Sequence, residues 1–249
     1  PPNLLRNLTL SLEVRDVETK RMIKDGTVFM NGINIGQLKN GNFNTDIQWP
    51  KWIEKFHLVV RSSNYGDAIT SIHWLGSGWS LLSKTVYLKP AKLEKITLWK
   101  RQKIDQENLQ IYLWECSLVD SSDQCVKWEV DLKTNFMSYA DIQNNVSLSM
   151  DAITNSGEIV WLQTWWMAFV EFIDDDWNIL QLKDWEKIKI KYTITQSDID
   201  RMGISGYGNM DPSGYWWYDK NIWYWRESDD KIIIDRQNNM FVVETSHLY

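Results

Sequence analysis

Leu8, Leu10, Leu12 and Val14 alternate without a break with Thr9, Ser11, Glu13 and Arg15. A period of two puts all four apolar side chains on one face, so this segment predicts a half-buried strand. A turn is expected over residues 16–20, and Asp25-Gly26 leads into a short strand at Thr27-Val28-Phe29-Met30. Asn31-Gly32 and Asn40-Gly41 are both signals for a type I′ hairpin turn, which needs two consecutive residues at positive φ. Phe56-His57-Leu58-Val59-Val60 predicts a central strand and Thr85-Val86-Tyr87-Leu88 another. Further strands are expected at 95–99, 109–116, 125–130, 159–173, 185–194 and 240–245. Only two stretches read as helical. One is 48–55, interrupted by Pro50; the other is 197–202, with Ser197 or Asp198 as N-cap and Gly203 as a stop.

Many short strands, frequent turns and almost no helix predict an all-β chain built from β-sandwiches. The expected layout is a sandwich over 1–90, a β-rich connector over 91–145 and a second, Trp-rich sandwich over 146–249. With 249 residues, 43% apolar and 24% charged, the chain can bury a core without metals, and no cofactor is expected. The formal net charge is −6 and no Lys/Arg block occurs, which argues against nucleic acid or an anionic membrane as partner. No run of 18 apolar residues is present, so no membrane span is expected. The chain opens Pro1-Pro2-Asn3 without Met. That start fits removal of an upstream leader and equally a chain trimmed for expression.

Cys116 and Cys125 flank the polar turn Asp120-Ser121-Ser122-Asp123. Two strands joined by that turn bring the thiols opposite each other, so a disulfide closing a hairpin is expected; two reduced thiols are the alternative. Asn7-Leu8-Thr9 and Asn145-Val146-Ser147 are glycosylation sequons, making Asn7 and Asn145 glycan candidates in the same secreted, extracellular compartment.

Residues 8–16, Thr19-Lys20, Lys24-Asp25-Gly26-Thr27-Val28, Gly41-Asn42-Phe43, 59–65 and Thr85-Val86-Tyr87-Leu88 together resemble a carboxypeptidase-regulatory-like domain, a transthyretin-like β-sandwich. Asn64-Tyr65 stands where that family usually has Gly-Tyr, and Asn tolerates the left-handed turn this needs. The Pro usual before Ile23 is missing. The last hundred residues remotely resemble the C-terminal domain of cartilage intermediate layer protein and related extracellular proteins. That likeness rests on Ser156-Gly157-Glu158-Ile159-Val160, Val170-Glu171-Phe172-Ile173-Asp174, the aromatic hairpin and Val242-Val243-Glu244-Thr245-Ser246-His247-Leu248. The two resemblances imply structural or interaction modules, with no peptidase zinc site and no catalysis.

Trp makes up 16 of the 249 residues, far above ordinary usage. Trp99, Trp114 and Trp128 lie inside strand patterns and read as core. The surplus gathers at Tyr215, Trp216, Trp217 and Tyr218 followed by Trp223 and Trp225, with Trp165 and Trp166 as a second site. Alternation puts Trp216 and Tyr218 on one face of the hairpin and Tyr215 and Trp217 on the other. Three uses fit: bridging two layers of the protein, meeting a neighbouring subunit, or carrying a sugar. The acidic turn Asp174-Asp175-Asp176 offers carboxylates to Ca²⁺ but lacks the alternating spacing of a calcium loop, which favours a solvated turn. His57, His73 and His247 are scattered, and no nucleophile elbow or phosphate loop is present. No catalytic residue is expected. The sequence therefore predicts a non-enzymatic structural subunit of an extracellular assembly, self-associating into a homopolymer through aromatic interfaces. The N-terminal strand is a candidate for strand addition to another copy, or simply the first strand of its own sandwich. The alternative function is a carbohydrate-binding module or surface adhesin, with glycans as partners.

Overall fold

The computed structural model describes residues 4–53, 55–73, 80–98, 100–106, 109–137, 151–161, 167–176, 178–183, 187–196, 199–200, 215–219, 224–230 and 232–247. The protein is all-β and forms two compact units. The first holds Pro1–Ala91, Asn144–Asp151 and Lys220–Trp223; the second holds Lys92–Gln143, Ala152–Asp219 and Tyr224–Tyr249.

In the first unit the strands are β1 (Leu5–Asp16), β2 (Thr27–Met30), β3 (Ile33–Gln37), β4 (Asn42–Pro50), β5 (Lys55–Arg61), β6 (Ala68–His73) and β7 (Ser80–Leu88). They form one sheet of order β4-β1-β7 and a second of order β3-β2-β5-β6. β1 is antiparallel to β4 and parallel to β7. The alternation of β1 is realised: Leu8, Leu10, Leu12 and Val14 are at most 1% exposed and face Val28, Met30, Phe56, Leu58 and Val60 of the other sheet. Each such side chain contributes roughly 1.5–3 kcal/mol on burial. The two Asn-Gly turns take their expected form, with φ of 43° and 82° at Asn31 and Gly32, and 52° and 82° at Asn40 and Gly41. A Cβ at Gly41 would also lie 2.8 Å from the Met22 side chain, so glycine is required twice over.

Asp16 ends β1 and is buried. Its carboxylate accepts the N–H groups of Glu18 and Thr19, both at 2.8 Å, and the Tyr65 hydroxyl at 3.1 Å. Burial works to raise its pKa, but these donors together hold it below the ordinary carboxylate value. Burial, then the Asp16 bond and charge, push the Tyr65 hydroxyl up.

The second unit contains β8 (Lys92–Thr97), β9 (Gln102–Gln106), β10 (Leu109–Leu113), β11 (Leu118–Val119), β12 (Glu129–Met137), β13 (Asp151–Ile153), β14 (Ile159–Trp161), β15 (Met167–Ile173), β16 (Gln181–Leu182), β17 (Ile188–Thr193), β18 (Tyr215–Asp219), β19 (Tyr224–Ser228), β20 (Ile232–Asp235) and β21 (Met240–Thr245). Asp151, the first residue of β13, belongs to the first unit. A five-stranded sheet, β20-β21-β17-β10-β9, and a three-stranded sheet, β15-β12-β8, share a core that includes Ile111, Leu132, Phe172, Ile188 and Val243. Two smaller sheets, β11-β16 and β14-β13-β19-β18, complete the described strands.

The structure differs from several sequence expectations. The stretch 91–145 is no separate connector, because β8 and β12 join the sheet of β15, β9 and β10 join that of β17, and these strands fill the same core as Phe172 and Ile190. Residues 48–50 extend β4 rather than start a helix, since β1 supplies partners as far as Leu5 opposite Pro50. The stretch 159–173 is two strands in different sheets, β14 beside β13 and β15 beside β12. Of the helix expected at 197–202, the described residues show a helical turn, in which the Ile199 N–H donates to the Thr195 carbonyl at 3.3 Å.

Candidate interaction surfaces

The aromatic hairpin forms from β18 and β19, with Tyr218 opposite Trp225 and Trp217 opposite Arg226. Trp225 is buried at 7% exposure, so it acts as core. Trp217 is half-buried and lies flat against the His247 ring, 4.3 Å between centroids at 3°. Its position over Arg226, 6.0 Å from ring centroid to guanidinium, adds a cation. Trp216 is half-buried. Part of the aromatic surplus is thus absorbed inside the second unit. Tyr215 and Tyr218 are placed by their backbone in β18. Trp165, Trp166 and Trp223 lie outside the described residues.

Cys116 and Cys125 form a disulfide with Cα atoms 5.2 Å apart. It closes a small hairpin in which Val126 donates to Leu118 and Asp120 to Gln124, while Asp120 Oδ1 caps the turn by accepting the Ser122 and Gln124 N–H groups. Leu118, Val119 and Val126 from this hairpin are buried. Asn7 sits half-buried on the outer-facing register of the middle strand β1, and the sequon hydroxyl of Thr9 donates to Asp46 at 2.6 Å. Asn145 lies outside the described residues.

The acidic turn is a hairpin between Ile173 and Ile179. Asp174 accepts the N–H groups of Asp176 and Asn178 and the Asn178 side-chain amide, at 2.7–3.0 Å. Burial works to raise its pKa, but these bonds together hold it below the ordinary carboxylate value. The carboxylate is thereby committed to its own turn. Asp175 is 84% exposed. Among the described residues no group of three His, Cys, Asp or Glu is placed to hold a metal.

Two buried polar clusters were not legible in the sequence. In the first unit, Lys55 pairs with Asp151, the Ser71 hydroxyl donates to Asp151 Oδ2 at 2.7 Å, and Ser71 Oγ lies 2.9 Å from His57 Nδ1. Ser71 has one proton; given to Asp151, it leaves His57 Nδ1 as donor to the serine oxygen. The serine proton therefore points at Asp151 and not at His57, and the three side chains are tied into one hydrogen-bonded group. Burial raises the Asp151 pKa, yet Lys55, Ser71 and the His57 charge hold it low overall. In the second unit, Lys133 and Glu171 form a pair at 3.8 Å with both side chains 3% exposed, and Lys133 also lies 5.3 Å from the Phe169 ring centroid.

Trp114 and Trp128 are not core: they are 40% and 45% exposed. Both sit just outside strands, after Leu113 ends β10 and before Glu129 begins β12. Trp114 lines a cavity of about 330 Å³ on the outer face of the five-stranded sheet, together with Arg101, Tyr112, Lys187, Lys189, Lys191 and Glu244. The signal was present in the sequence. With Leu109, Ile111 and Leu113 facing inward, the period of two puts Gln110, Tyr112 and Trp114 outward.

Exposed large apolar side chains also gather on strands with an open edge. Ile33 on β3 is 63% exposed, Leu81 on β7 68%, Leu93 on β8 44%, Ile159 on β14 64% and Ile233 on β20 61%. Each of these strands ends its sheet among the described residues. β1, in contrast, is paired on both sides within its own sheet, so the N-terminal strand is the first strand of its own sandwich and not a free donor.

No protein-family model matches the chain, and no curated protein matches it in sequence. Two solved structures of the shaft pilin SpaA from Lactobacillus rhamnosus GG, both mutant forms, are similar at 8% identity over 77% of this chain and 87% and 88% of theirs. Their TM-scores are 0.18 and 0.19, a likeness too low to carry an argument about what this chain does.

Proposed function

We propose that the protein is a non-enzymatic structural subunit of an extracellular assembly, held together by pairing of strand edges between copies. The observation that carries this reading is the set of strand edges left open among the described residues, bearing Ile33, Leu81, Leu93, Ile159 and Ile233. An unpaired strand edge presents a row of N–H and C=O groups ready to pair with another chain, and monomeric β-proteins blunt such edges with charge, proline or bulges. β3 is bulged against β2 and β8 carries Lys92, Glu94 and Lys95, but β7, β14 and β20 expose Leu81, Ile159 and Ile233, which adds hydrophobic contact to backbone pairing. The disulfide supports a compartment outside the reducing cytosol. The resemblance of the N-terminal part to regulatory-like sandwiches supports a non-catalytic role.

The test is sedimentation velocity of the full chain over a concentration series, beside a variant carrying Ile33→Lys, Leu81→Lys, Leu93→Lys, Ile159→Lys and Ile233→Lys. The wild-type weight-average sedimentation coefficient is expected to rise with concentration and the variant's to stay at the monomer value. A wild type that stays monomeric throughout, or a variant that assembles like it, overturns the reading.

A further inference from the structure

We propose that the outer face of β9, β10 and β17 is a binding site for an acidic saccharide chain, one bearing carboxylate or sulfate groups. The sequence sets up this face by alternation. In β17, Ile188 and Ile190 are buried while Lys189 and Lys191 point outward, and Tyr112 lies beside Lys189 in register on β10. Lys103 of β9 faces Tyr112 from the other side. Arg101 and Lys187 extend the row beyond the strand ends.

The face is rich in cations, most of them matched by a neighbouring carboxylate: Lys103 pairs with Asp105, Lys187 with Asp230 and Lys189 with Glu244. Arg101, Lys187, Lys189 and Lys191 line the cavity against a single carboxylate, Glu244, in a chain whose net charge is −6. Arg101 makes no ion pair among the described residues, and Lys191 is near enough to Asp235 to help hold that carboxylate's pKa low. Adjacent like charges on one sheet face work against folding, so an anion arriving there relieves a repulsion as well as making bonds.

The aromatic side chains narrow the anion's class. The Arg101 guanidinium lies 3.8 Å from the Trp114 ring centroid, and the Lys191 and Lys103 ammonium groups lie 5.3 and 5.9 Å from that of Tyr112. Trp114 remains 40% exposed. Arg101 covers one face of Trp114; the part of the ring that stays exposed suits the C–H side of a pyranose, and the cations beside it suit substituents that carry negative charge. The cavity is open and, at about 330 Å³, is at the small end for ligand sites, which suits one or two units of a longer chain. Nucleic acid, whose bases also stack on exposed aromatic rings, is the competing occupant, and oligo(dT) tests it directly. The site lies on a sheet face, whereas assembly uses strand edges, so either reading can fail alone.

The experiment is titration of the full chain, followed by Trp fluorescence and calorimetry. The probes are an oligogalacturonate for the carboxylate arm, a heparin oligosaccharide for the sulfate arm, a neutral cello-oligosaccharide and an oligo(dT). At least one acidic saccharide is expected to bind tenfold or more tighter than the neutral one and than oligo(dT). Lys191→Gln together with Arg101→Gln is expected to weaken that binding at least tenfold. Trp114→Ala weakens it while Trp114→Phe largely preserves it, with circular dichroism confirming that each variant is folded. The proposal is overturned if neither acidic saccharide binds, if the neutral saccharide or oligo(dT) binds as tightly, or if the double variant binds like wild type.

Discussion

Removing the cross-link by Cys116→Ser with Cys125→Ser should destabilise the second unit by an amount set by chain entropy. The bond closes a loop of sequence separation 9. The loop-closure expression, 2.1 plus 1.5R ln n in cal/mol/K, then gives about 2.6 kcal/mol at 25 °C. The native state loses little else, because Leu118 and Val126 remain joined by a backbone hydrogen bond and remain packed in the core. For a unit of this size about 2.6 kcal/mol corresponds to a fall in Tm of roughly 5–10 °C. The assay is guanidinium unfolding of wild type and variant, with hydrogen exchange assigning the loss to strands. Amides of β10, β12 and β17 should lose protection and those of β1 and β5 should not. A loss under about 0.5 kcal/mol, or equal loss in β1 and β5, would refute the entropic account.

Three further outcomes follow from the packing. Glu171→Ala should cost about 3–5 kcal/mol by leaving the Lys133 ammonium buried without its carboxylate, whereas Lys133→Met with Glu171→Leu should recover most of that loss; equal losses in denaturant titrations would contradict it. Gly41→Ala should destabilise the first unit by more than about 1 kcal/mol, because it combines a positive φ with a clash at Met22; an unchanged midpoint would show the turn to be free. The Asp16–Tyr65 pair should give a stability plateau with two edges. Asp16, lowered in the fold, contributes stability that is present above its unfolded value of 3.8 and is lost as pH falls through its folded pKa. Tyr65, raised in the fold, contributes stability present below its unfolded value of 10.0 and lost as pH rises through its folded pKa. Tyr65→Phe should abolish the alkaline edge of that contribution in denaturant titrations across pH, and an alkaline edge unchanged in the variant would assign it elsewhere.

What could be read from sequence was local. The alternation of 8–14 and the Asn31-Gly32 and Asn40-Gly41 turns depend on neighbours in the chain, and the first unit's core follows from them. The parallel pairing of β1 with β7, and the pairing of β10 with β17, join residues far apart and leave no local mark. That is why 91–145 read as a connector. The stretch 48–55 read as a short helix interrupted by Pro50, but residues 48–50 find ladder partners on β1. The cationic face was within reach, since Tyr112, Trp114, Lys189 and Lys191 all fall on outward registers. The count of Trp drew attention instead to β18 and β19, where His247 and the core take up Trp217 and Trp225. The pairs Lys133–Glu171 and Lys55–Asp151 had no signal, because burial of a charge depends on which sheets meet.

Assembly through strand edges is tested most directly by hydrogen–deuterium exchange of the full chain, compared between dilute and concentrated solution. The account predicts that backbone amides of β3, β7 and β20 gain protection on concentration while those of the interior strands β1 and β17 are unchanged. Protection that is independent of concentration at all three edges would contradict it.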